Sequence, residues 1–191
     1  MNAFSVLTPP AVKSAKLAQT LCTLGGADQA LTIANIAKQH KDVTLVVTAD
    51  TPTAIALETE LSYLLSEQSI SIWLFPDRET LPYDSFSPHQ DLVSQRLEAL
   101  SRIPQAQHAV VIVPITTLMV RLPPQSFLTG NVLMLEKGDK YRLLDVREQL
   151  INTGYHVVEQ VYEHGEFAVR GSIIDIFPMG SSQPYRIELF D

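Results

Sequence analysis

The apolar residues of this chain change their rhythm part-way along, and that change limits its fold more than any other feature. In the first stretch, helical spacing alternates with short β-rich runs. Ala30, Ile33, Ala34 and Ala37 predict a helix over Asp28–Gln39. Val43–Thr48 (VTLVVT) follows as a buried strand. Thr51 and Pro52 read as an N-cap and first-turn pair, after which Ala54, Leu57, Leu61 and Leu64 mark one helix face. Ser69–Phe75 is a second strand, Val93, Leu97 and Leu100 outline another helix, and Ala109–Val113 (AVVIV) is a third strand. Strands separated by helices imply a parallel sheet covered by helices.

Arg121–Gly130 (RLPPQSFLTG), with two adjacent prolines and a terminal glycine, reads as a boundary. Beyond it the pattern becomes strand, helix, then consecutive strands. Asn131–Glu136 is expected as a strand. Leu143, Val146 and Leu150 define a helix stopped by Gly154 at the C′ position. The β-rich runs His156–Tyr162, Phe167–Phe177 and Tyr185–Phe190 then predict an antiparallel sheet. The expected fold is α/β: a parallel-sheet part over 1–128, followed by a small α+β part with a mainly antiparallel sheet over 129–191. The end at Asp191, directly after a strand, reads as a cut inside a longer protein.

Apolar residues at 46% and charged residues at 18% supply a core and argue against long disorder. Ala109–Val120 is too short and too interrupted to span a bilayer, and Met1–Pro10 lacks the marks of an export signal. The single cysteine, Cys22, excludes an internal disulfide framework and fits a cytoplasmic location. Net charge is −7, and acidic residues exceed basic ones on both sides of the expected boundary, so neither part is a bulk binder of nucleic acid.

A phosphate-binding loop needs glycines that let backbone N–H groups wrap phosphate, a lysine for its charge and a hydroxyl for magnesium. Thr23–Ala30 (TLGGADQA) is the candidate here. Thr23 and Asp28 stand at the glycine positions, Gln29 at the lysine and Ala30 at the hydroxyl. All four defining positions are lost, and Asp28 adds a negative charge where phosphate would sit. An ordinary glycine turn before a helix accounts for the segment, and no ATP or magnesium is expected on this chain.

Other chemistry-bearing groups are sparse. Asp84, His89 and Asp91 gather in Tyr83–Asp91, at a spacing that matches no metal motif. His164 lies between Glu163 and Glu166 in a predicted turn beside Gly165, and a solvated hairpin explains it as well as a catalytic pair does. Cys22 has no histidine partner evident in sequence. No catalytic or metal-ligating set is expected. The last strand says more. Tyr185, Ile187 and Leu189 alternate with Arg186, Glu188 and Phe190. The second face is either an exposed anchor or a surface covered by another domain.

Asp77–Leu100 (DRETLPYDSFSPHQDLVSQRLEAL), Val111–Met119 (VIVPITTLM) and Glu163–Asp191, with Arg170-Gly171, Asp175 and Phe177-Pro178, closely resemble the N-terminal region of the bacterial transcription-repair coupling factor (Mfd) family. That region is itself related to the repair protein UvrB. The resemblance covers Leu17–Asp191. It implies a degenerate P-loop (RecA-like) part similar to UvrB domain 1a, and a second part similar to the UvrA-binding domain 2. Thr20-Leu21 and Thr32–Asn35 look like the flanks of the UvrB P-loop. UvrB-like proteins carry a long insertion with a damage-probing hairpin after the SPHQD run, whereas here Asp91 leads straight into a helix.

The UvrA contacts of the family fall by position on Arg170, Arg186 and Phe190. The resemblance implies a docking module for UvrA that is not itself an enzyme. Its parent would be an ATP-dependent translocase that engages duplex DNA and RNA polymerase through other domains, with a C-terminal domain masking the UvrA surface. The rival readings are a UvrB-type nucleotide-dependent helicase fragment and an unrelated α/β hydrolase.

Overall fold

A computed structural model describes residues 5–11, 21, 24–81, 83–133 and 135–189. The residues group into two compact units, one of 1–77 with 103–120, the other of 78–102 with 121–191. Segment 78–102 thus lies with 121–191, while the boundary expected from the sequence falls at 128/129.

The first unit is a three-stranded parallel sheet. Helix α1 (Ala27–Gln39) precedes β1 (Val43–Thr48), then come α2 (Thr51–Leu64), β2 (Ser71–Leu74), β3 (Ala109–Pro114) and the short α4 (Ile115–Leu118). The strand order is β1-β3-β2, with Val43 opposite Ala109 and Ser71 opposite the same residue. All six residues of β3 are buried, as a central strand apolar on every side chain requires. Ala30, Ala34 and Ala37 of α1 pack with Ala54, Leu57 and Leu61 of α2 over Val110 and Ile112. The helix spacings read from the sequence therefore identify this core. The N-cap of α2 differs from expectation. Asp50, not Thr51, caps it, and its carboxylate accepts the Thr53 N–H at 2.8 Å. Asp50 is extended, as an N-cap must be, while Thr51 is already helical.

The second unit contains α3 (Gln90–Arg102), the short α5 (Gln125–Gly130), α6 (Leu143–Asn152) and the strands β4 (His156–Val157), β5 (Glu166–Arg170), β6 (Ile173–Ile176) and β7 (Tyr185–Glu188). The sheet order is β4-β5-β6-β7. Only the two-residue β4 runs parallel to its neighbour. Val146 and Leu150 of α6 pack on Phe167, Ile174 and Ile176, with Ile187 and Leu189 at the margin. Helix α6 ends as expected. Gly154 has φ 93°, its N–H donates to the Ile151 carbonyl and the Tyr155 N–H to that of Leu150, the paired closure of a Schellman motif.

Several expectations need correcting. No strand forms over 131–136 among the described residues. A turn occupies its end, where the Asp139 carboxylate accepts the Glu136 N–H. The run His156–Tyr162 supports only two strand residues. It is then diverted by Glu166, whose carboxylate accepts the N–H groups of Tyr162 and Glu163 at 2.8 and 2.9 Å. The glycine after Arg170 suggests a bulge. Instead, Gly171-Ser172 form the two-residue turn of the β5–β6 hairpin, with Arg170 opposite Ile173 and φ of 60° at Gly171.

Helix α3 buries Ser94, Arg96 and Ala99 most deeply, with Val93, Leu97 and Leu100 only half-buried. What packs on this helix includes backbone. The Gly180 N–H donates to Ser94 Oγ at 2.8 Å, and a Cβ at Gly180 would meet Glu98 at 3.4 Å. A face pressed by backbone favours small residues, so apolar spacing does not find it.

Candidate functional site

The sheet of the second unit has two unlike faces. On one, Phe167, Ile174, Ile176, Ile187 and Leu189 meet α6. On the other, the ladder sets Arg170 beside Ile173 and Glu188, and Asp175 beside Ala168 and Arg186. Side chains directly opposite in a ladder share a face, so both arginines and Asp175 are brought together as neighbours. Arg170, Asp175 and Arg186 line a concavity of about 530 Å³ with Gln160, Val161, Pro184 and Tyr185.

Arg186 is not a free cation. Its Nε donates to Asp175 Oδ1 at 2.6 Å and its Nη2 to Oδ2 at 2.9 Å, a two-point clamp across β6 and β7. The Arg186 hydrogen bond holds the Asp175 carboxyl below the ordinary carboxylate range, and the charges of Arg186 and then Arg170 act the same way against partial burial. The same pairing holds the Arg186 guanidinium more firmly protonated. Arg170 ends β5, exposed, and its Nη2 donates to the Glu159 carbonyl. Tyr185 departs from the simple alternation. It opens β7 directly after Pro184, remains exposed and lines the concavity, while Ile187 and Leu189 pack inward. Phe190, the remaining residue predicted for this face, lies outside the described residues.

The other candidates resolve into local structure. Asp84 Oδ2 accepts the Leu81 N–H at 2.6 Å, closing a turn. His89 contacts Asp91, which also receives His164 Nδ1 at 2.9 Å. The second ring nitrogen of His164 meets the Ser181 carbonyl at 2.8 Å, and its ring lies against Phe177. With both nitrogens engaged, this histidine ties α3 to the 177–181 segment instead of presenting a base to a substrate. The sequence offers Asp91 and His164 as separate candidates and gives no sign of their pairing. No group of three or more His, Cys, Asp or Glu among the described residues is placed to hold a metal ion.

At the start of α1, Thr23 and Cys22 lie outside the described residues. Asp28 and Gln29 are exposed, and Ala30 is buried in the α1–α2 core. The Asp28 and Gln29 N–H groups are turned back onto the Gly25 and Gly26 carbonyls at 3.3 and 3.2 Å.

The UvrB interaction domain family matches residues 133–191, which contain the whole charged face. Along 168 residues, 88% of its length, the chain is 50% identical to the transcription-repair-coupling factor of Haemophilus influenzae and 45% identical to that of Escherichia coli. The chain is related to the transcription-repair-coupling factors. The Bacillus subtilis coupling factor is 27% identical over 173 residues, 91% of the chain. The chain spans about 14% of the length of each of these curated relatives. In this coupling-factor relative, α3 and both arms of the first unit fall outside the UvrB-interaction match, whereas β4 to β7 fall within it. No helix among the described residues is long and apolar enough to cross a membrane.

Proposed function

We propose that this chain is a protein-docking module that captures UvrA through the outward face of β5, β6 and β7, and that it has no ATPase activity of its own. One observation carries the reading: Arg170 and Arg186 stand on one face of a UvrB interaction domain, around a shared concavity. Arginine suits a docking role because its planar fork engages carboxylates at two points, and arginine is enriched among the residues that dominate interface energies. Phe190, which the sequence alternation assigns to the same side but which lies outside the described residues, would add an apolar anchor.

The first unit serves as scaffold. The lost phosphate-loop chemistry at Thr23, Asp28, Gln29 and Ala30 argues against a nucleotide site, and Ala30 is committed to the core. In the longer protein, other domains would supply ATP-dependent translocation on duplex DNA and contact with RNA polymerase. A C-terminal domain would mask the UvrA-binding face until docking is required. The setting is the cytoplasm, and the process is nucleotide excision repair coupled to transcription.

Calorimetric titration of the chain with UvrA tests this reading. The expected result is saturable binding that Arg170→Glu or Arg186→Glu abolishes while the thermal melt is preserved. Intact binding by the double variant would remove these residues from the interface. A parallel titration with ATP and magnesium should give no heat, and saturable binding there would revive the nucleotide-dependent alternatives.

A further inference from the structure

We infer that Asp175 is a positioning residue of the docking face: it grips one edge of the Arg186 guanidinium so that the opposite edge stands open to a carboxylate of the partner. This rests on the docking reading given above.

A guanidinium is flat, and its N–H groups point in fixed directions in its plane. Asp175 occupies the Nε–Nη2 edge of Arg186, at 2.6 and 2.9 Å. The edge formed by Nη1 and the outer hydrogen of Nη2 is the end-on fork that carboxylates also engage at two points. Among the described residues that fork donates to no further protein partner, and it belongs to a side chain lining the concavity. Arg186 is 57% exposed against 20% for Asp175, so the carboxylate is the inner partner and the guanidinium the outer one. Without Asp175, a long exposed arginine samples many rotamers, and ordering it on binding costs affinity. With it, that ordering is present beforehand.

The tethered Arg170 on β5, on the other side of β6, strengthens the case. Its guanidinium is tethered to the Glu159 carbonyl, so the concavity presents two oriented cations around one anion. In a chain of net charge −7 the concavity lining carries two cations to one anion, with Glu188 on the same face beyond it. Its chemistry fits an acidic surface whose carboxylates are spaced to meet both forks.

The sign of one substitution separates positioning from simple charge. Asp175→Asn removes a negative charge from a face that receives carboxylates, so a purely Coulombic account requires UvrA to bind more tightly. Positioning requires the opposite, a loss of roughly three- to tenfold, the usual cost of ordering one long side chain at an interface. Asp175→Glu, which restores a carboxylate, should recover most of that loss. Asp175→Ala serves as a second ablation, and thermal melts report whether each variant folds.

Equal or tighter binding by folded Asp175→Asn and Asp175→Ala overturns the inference, and so does a loss that Asp175→Glu fails to recover. The docking reading fails differently: the unaltered chain does not bind UvrA, or Arg186→Glu binds as well as the unaltered chain. Binding that depends on Arg186 but not on Asp175 strikes only the positioning role.

Discussion

The two sheets of this molecule put the same alternation to opposite uses. In the parallel sheet, β3 is buried at every residue, so neither side of the strand can carry a charged group. In the β5–β7 sheet, alternate residues go to a core and to solvent, and the solvent side holds Arg170, Asp175, Arg186 and Glu188. In the parallel sheet the central strand is covered while Leu45 and Val47 of the edge strand β1 stay exposed but apolar, and in sheets of this kind chemistry comes from loops at the strand ends. Here the first turn of α1 has Asp28, Gln29 and Ala30 where such chemistry would reside. An antiparallel sheet can leave one face open, and an open face with ordered arginines suits recognition without any loop. On the docking reading, loss of function in one half and retention in the other have a common structural basis.

The strongest challenge to this contrast places one change in each sheet. Val111→Asp inserts a carboxylate into β3, where the side chain is 3% exposed and its strand neighbours are apolar. We expect a loss of about 3–5 kcal/mol, typical of an uncompensated buried charge, read as collapse of the urea midpoint. Arg186→Ala, by contrast, removes one member of an exposed pair and should leave the urea midpoint nearly unchanged. Its effect belongs to docking, where loss of a central arginine should weaken affinity for UvrA roughly thirtyfold or more. If Val111→Asp folds normally, or Arg186→Ala unfolds the chain, the division between core sheet and docking sheet does not hold.

How much of this was legible in the sequence followed from what each element packs against. Helices α1, α2 and α6 bury apolar side chains against apolar strands, and their spacing shows where they lie. Helix α3 receives the backbone at Gly180 and the ring of His164 on Ser94, Glu98 and Asp91, and it buries Ser94, Arg96 and Ala99, a set that no apolar period reveals. The strand expected at 131–136 has the right composition, but composition cannot supply a ladder partner. Arg170 and Arg186 are found by resemblance and, for Arg186, by alternation. The clamp between Arg186 and Asp175 joins residues eleven apart along the chain and is invisible until the β6–β7 register places Asp175 opposite Arg186. Pairing across strands depends on register, here that of β7 on β6 across the connection 177–184.

A smaller effect tests whether the docking sheet depends on the end of α6. Gly154 has φ 93°, and a Cβ added there would stand in open space, so Gly154→Ala meets no clash. The loss should therefore be purely conformational, about 1–2 kcal/mol for an alanine held in the left-handed region. Because α6 covers the core face and not the charged one, affinity for UvrA should be unchanged at temperatures where the variant is folded. A matching fall in affinity would mean that the two faces are coupled.

The smallest expected effect lies at the cap of α2 and sharpens the contrast from the scaffold side. The Thr53 hydroxyl and N–H hold the Asp50 carboxyl below the ordinary carboxylate range. A group whose folded pKa is depressed stabilises the fold above its unfolded pKa, and that contribution disappears as pH falls through the folded value. The melting temperature of Asp50→Ala should therefore lie below that of the unaltered chain near neutral pH, by less than for Gly154→Ala. The gap should narrow only in acid, beneath the usual carboxylate range. Asp50→Asn, which caps without ionising, should lose the acid-dependent step while keeping most of the neutral-pH stability. On the docking reading, binding to UvrA should be indifferent to all three residues at this position, since that reading puts recognition on the other sheet. A pH-dependent change in docking that follows Asp50 would assign the first unit a share in recognition that its buried strand and lost phosphate loop do not predict.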